Sequence, residues 1–192
     1  MSLLELDRRY MGPLYIATET FDPSWGTRWS NYIIWSGLTH LTEVVSLDSM
    51  LCPPILKEIE DDYWPHIVNE DSMVNYFIDF GFLRERVVHV QQKNVLCVFR
   101  NPESAPSLPP GHEAFTFLGY DLVDVEGSAS ALTNCGGFPD VFSNNELSNV
   151  GLLTSLSRAK EVQGLLCSRY PEEHHADCHL WAVFRHSHLS SK

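Results

Sequence analysis

What this sequence lacks narrows it first. No apolar run approaches the length of a membrane-spanning helix. The first residues, Met1 to Arg9, carry acids where a signal peptide needs a basic start and an unbroken apolar stretch. The expectation is a cytoplasmic protein with no membrane partner. The five cysteines, Cys52, Cys97, Cys135, Cys167 and Cys178, form no CxxC pair, are odd in number and lie far apart. That pattern argues against a disulfide scaffold and for free thiols.

The dinucleotide, P-loop, HExxH and calcium-loop patterns are all missing, so nucleotide chemistry has no support. Gly127-Ser128-Ala129-Ser130-Ala131 is not a nucleophile elbow, because Ala stands where the second glycine belongs.

Lys and Arg are scarce as well. The formal charge of 192 residues is −12. Between Glu43 and Asp79 nine acids face one base, Lys57, and between Asn101 and Ser157 seven acids face no Lys or Arg. A phosphate backbone is gripped by clustered cations, so nucleic acid is excluded as an expected partner. A basic protein remains open, against the plainer account that the carboxylates keep the surface soluble.

What is present reads as a folded chain. A hydrophobic fraction of 44% and a charged fraction of 20% suit a globular core, and the length suits a single domain over 1–192. Four prolines and two serines between Asn101 and Gly111 mark a surface loop.

Val87–Val90 and Val95–Phe99, around Gln91-Gln92-Lys93-Asn94, predict a β-hairpin, with Ala114–Val123 a strand pairing near it. Leu14–Ala17 and Tyr32–Trp35 are further strand candidates. Cys178–Arg185, apolar on both faces, predicts an interior strand. Leu152, Leu156, Ala159, Val162 and Leu166 recur at helical spacing and predict a helix within Asn145–Arg169. Another is expected between Ile67 and Leu83, on the apolar face of Met73, Val74, Phe77, Ile78 and Phe80. Without a βαβ alternation, the fold class is α+β, a mostly antiparallel sheet packed against two or more helices.

The chemistry-bearing residues fall into three groups. His175, His179, His186 and His188 lie in a histidine-rich C-terminal stretch, where imidazoles of suitable spacing would ligate zinc or a related divalent metal; a solvated loop and tail is the plainer account. Cys135 sits in Asn134-Cys135-Gly136-Gly137, whose glycines leave backbone N–H groups accessible. A thiolate there, with His179 as its base, would serve a small hydrolase or transferase, whereas a small buried hydrophobe is the plainer role.

The acids Glu58, Glu60, Asp61 and Asp62 precede Tyr63 and Trp64, a combination suited to steering and anchoring a basic protein partner. Further upstream, Phe21, Trp25, Trp29, Tyr32 and Trp35 crowd one segment, as a small-molecule pocket or, more simply, as core. The leading expectation is a non-catalytic binding or inhibitor-type module acting through the Glu58–Asp71 region, with the enzyme and small-molecule readings behind it.

Overall fold

The computed structural model describes residues 12–58, 60–68, 74–135 and 137–190. The expectations resting on Met1–Arg9, on Met73, on Gly136 beside Cys135 and on residues 59 and 69–71 of the acidic region lie outside these. The strands are β1 (Leu14–Glu19), β2 (Ile67–Val68), β3 (Tyr76–Phe77), β4 (Lys93–Arg100), β5 (Phe115–Val123) and β6 (His179–His186). They form one antiparallel sheet in the order β2-β3-β1-β4-β6-β5. With helices α1 (Thr27–Ser36), α2 (Phe80–Val87) and α3 (Leu156–Arg169), the protein is α+β.

Alternation along the strands divides the core between the two faces of the sheet. Tyr15, Ala17, Val95, Cys97, Ala182 and Phe184 belong to one buried cluster, which includes Leu83 and Val87 of α2 and Ala159, Val162 and Leu166 of α3. Leu14, Ile16, Leu96, Val98, Trp181 and Val183 join Val45, Leu47, Val150 and Leu152 in the other. β6 lies between β4 and β5, the interior place its two apolar faces require.

Several local expectations are corrected. Tyr32–Trp35 is helical, because Trp29 and Tyr32, three residues apart, are the residues of α1 that bury their side chains, and Gly37 closes the helix at φ 68. The predicted hairpin is absent: Val87 ends α2, which Asp79 starts by accepting the Phe82 N–H. β5 therefore pairs with β6 and has no contact in register with β4. Between Ile67 and Leu83 the described residues form β2, β3 and only the beginning of α2.

The helix predicted within Asn145–Arg169 is confined to α3, capped by Ser155. Leu152 and Leu153 belong to a separate turn that approaches β5 so closely that a Cβ on Gly119 would lie 2.6 Å from the Leu153 carbonyl oxygen. Gly119 also holds φ 149 at the register shift in β5. The side chain of almost any other residue would collide there.

Candidate metal centre

The region around Cys135 is held in place by buried carboxylates. Asp48 Oδ2 accepts from the Ser130 N–H at 2.9 Å and from Asn134 Nδ2 at 2.8 Å. Its Oδ1 accepts from the backbone N–H groups of Met50 and Leu51, each at 2.8 Å. Asp121 takes the hydroxyls of Ser46 at 2.6 Å and Ser130 at 2.7 Å. Asp124 takes the Ser128 N–H at 2.8 Å and the Ala129 N–H at 2.9 Å. Each acid thus satisfies its lone pairs with neutral donors. Burial nevertheless pushes Asp48 up to about 6 and raises Asp121.

This framework fixes the Ser130–Asn134 turn and delivers Cys135 to the turn that follows α3. That second piece, His174–Asp177, is a single 3₁₀ turn between Pro171 and β6. His175 Nε2 meets Cys135 Sγ, and His174 Nε2 lies 3.8 Å from the same sulfur. One ligand atom from each of Cys135, His174 and His175 lies within 4.8 Å of the others, the only such group of three among the described residues.

His175 is fully buried, edge-on to Phe138 at 5.8 Å, whereas His174 is exposed and Cys135 half-buried. The cluster is therefore anchored on one side and open on the other. Burial, followed by the neighbouring His174, lowers the His175 pKa to about 4, leaving a neutral imidazole. Its Nδ1 has no hydrogen-bond partner among the described residues. Burial first, then Asp48, Asp124 and Glu173, pushes the Cys135 thiol up to about 12.

These electrostatics bear on the chemistry. A thiolate nucleophile is normally stabilised by positive surroundings, and Cys135 has carboxylates around it instead. Those same carboxylates favour a cation. Ligand bonds of about 2.3 Å for sulfur and 2.0–2.1 Å for nitrogen place tetrahedral zinc ligands roughly 3.5 Å apart. The Cys135–His174 separation of 3.8 Å is already close to that. A thiol and two imidazoles are a donor set suited to zinc and to softer ions.

The other sequence candidates do not converge on this point. His179 Nδ1 lies 3.3 Å from Asn101 Nδ2, and the base position beside Cys135 is taken by His175. His186 stands at the other end of β6, about 23 Å from His179 at strand rise. There its Nδ1 accepts the N–H groups of His188 and Leu189. One ion cannot bridge His175, His179, His186 and His188.

Tyr63 is buried against Phe77 and Phe82, while Glu58, Glu60, Asp61, Asp62 and Trp64 are exposed. Asp62 pairs with Arg86, whose guanidinium lies over Phe82. Of the upstream aromatics, Phe21, Trp29 and Tyr32 pack edge-on or tilted in the core, and Trp35 is exposed.

His174 and the Asp48 network were missed from sequence. A weak signal existed for the first, since it adjoins His175. Comparison of the chain with protein-family models, with curated proteins and with solved structures gives no match. No helix among the described residues is long and apolar enough to cross a membrane.

Proposed function

We propose that the protein is a metal-binding protein in which Cys135, His174 and His175 hold Zn²⁺ or a chemically similar ion. The observation that carries the reading is the meeting of one thiol and two imidazoles within 4.8 Å, one of them buried and neutral. Binding would release the Cys135 proton, and the metal would supply the positive charge its acidic surroundings call for. Three protein ligands with an exposed side correspond to the open zinc sites that retain a water, so metal-assisted hydrolysis is the reaction class to assay. Free thiols fit the cytoplasm as the working compartment.

The test is elemental analysis of protein purified without a His-tag, with its melting temperature before and after chelation. Near-stoichiometric zinc and a chelator-sensitive melt support the site. Metal-free protein that shows no change in melting temperature with added Zn²⁺ rejects it.

A second reading is favoured by one observation, the exposure of Trp64 next to Glu60 and Asp61. On that reading this surface docks a basic protein. Recovery of such a partner from extract at low salt but not at high salt, and its loss with Trp64→Ala, supports it. A pull-down unaffected by Trp64→Ala removes it.

A further inference from the structure

At the opposite end of β6 from Cys135 lies a cavity of about 430 Å³, walled by Leu118 and by the polar Asn94, Thr116, Arg185, His186, Ser187 and Ser190. Arg185 and Asn94 share a sheet face, since Arg185 stands in register with Leu96, two residues along β4. The guanidinium is fixed: its Nη1 pairs at 2.9 Å with Glu43, itself buried, and lies 3.5 Å from Asn94 Oδ1. Among the described residues its polar contacts run through Nη1 alone, which leaves the rest of a five-donor fork for another acceptor.

Asn94 is 2% exposed, and its Nδ2 has no hydrogen-bond partner among the described residues. Buried amides are nearly always satisfied, so an unmet donor in a cavity wall marks where an outside acceptor belongs. Ser190 Oγ accepts the Val95 N–H at 3.0 Å, which leaves its own proton to donate. Because His186 Nδ1 accepts two backbone N–H groups, its remaining ring proton sits on Nε2. The wall therefore presents several donors, and burial first, then the neighbouring His188 and Arg84, lowers the His186 pKa and favours its neutral form.

We propose that this cavity binds a small molecule through an oxyanion, a carboxylate or a phosphate monoester. The oxyanion would be held by Arg185 and Asn94 and by the hydroxyls of Thr116, Ser187 and Ser190. Glu43 positions the guanidinium and offsets part of its charge, so a compact head group fits better than a polyanion. The volume leaves room for a few carbon atoms beside that head.

The experiment is titration of the isotopically labelled full chain with inorganic phosphate, and separately with acetate, at low ionic strength. Saturable shifts at the Asn94 side-chain amide, the Arg185 Nε–H and the Ser187 backbone are expected. Phosphate alone, acetate alone or both acting identifies which oxyanion the cavity takes. Arg185→Lys keeps the charge and loses the fork; if Glu43 then destabilises the fold, Thr116→Glu on the exposed rim keeps the test available. Its added carboxylate should weaken binding by at least roughly tenfold while leaving the remaining spectrum folded. Absence of saturable shifts with either anion, or shifts that Thr116→Glu leaves unchanged, overturns the proposal.

Discussion

Cys135 and His175 are forty positions apart in the chain, and their side chains meet. The contact joins a turn fixed by Asp48 to a turn fixed by the end of α3. Local sequence alone places neither turn, since one rests on the long-range Asp48–Asn134 bond and the other on the end of α3.

If this pair and His174 hold zinc, the ligands should be unequal. Cys135→Ser and His175→Ala remove the sulfur and the buried anchor, and each should weaken binding by more than the roughly 10–100-fold typical of losing an outer partner. His174→Ala, at the exposed side, should cost less. Competition with a chromogenic chelator measures all three. Equal affinity in wild type and Cys135→Ser would place the metal elsewhere.

Thiol labelling separates metal chemistry from nucleophile chemistry. With its thiol pushed up to about 12, Cys135 should react slowly with a small alkylating agent at neutral pH, after the exposed Cys167. Added Zn²⁺ should slow it further while leaving Cys167 unchanged. Mass spectrometry of timed digests reads both sites. Rapid labelling of Cys135 ahead of Cys167 would instead promote it as a nucleophile.

Parts of this were legible in the sequence. β1, β5 and β6 are strings of β-branched and aromatic residues, and their positions follow from that. The register of Ala159, Val162 and Leu166 gave α3 its buried face, but the same spacing extended falsely back to Leu152. Gly151, at φ 86, turns the chain there, and Leu152 packs on the other side of the sheet. Tyr-Ile-Ile-Trp has strand propensity and became helix because burying Trp29 with Tyr32 outweighed it. The Cys135–His175 contact and the Asp48–Ser130 bond depend on strand order, which local patterns do not carry.

Asp48 gives a pH signature. Its pKa is raised in the folded state, from 3.8 to about 6, so the ionised form is disfavoured by folding above that value. The penalty is fully present above pH 6 and is relieved as pH falls toward 4, a change of about 3 kcal/mol at most. Asp48→Asn lacks this titration. The stability difference, wild type minus variant, should therefore become more positive as pH drops from 7 to 4, whatever its value at neutral pH. Urea unfolding at several pH values reads the difference, and a gap that stays constant would mean Asp48 titrates as an ordinary carboxylate.

The aromatic residues provide the last prediction, because packing and binding assign opposite sensitivities to them. Phe21 is 1% exposed and meets Trp29 and Tyr32 at ring separations of 5.4 and 5.1 Å. Deleting it leaves a cavity bounded by rings already fixed by their own neighbours, including the Tyr32 hydroxyl, which donates to the Thr133 carbonyl at 2.9 Å. That bond ties α1 to the turn carrying Cys135, so damage at Phe21 should reach the metal ligands. Phe21→Ala should cost about 3–5 kcal/mol and lower metal affinity as well. Trp35, exposed on the outer side of α1, should tolerate Ala within about 0.5 kcal/mol with unchanged metal binding. Chemical denaturation and the chelator competition supply both readouts. A Phe21→Ala protein that keeps wild-type stability would show that these rings line a space open to a ligand and are not a packed core.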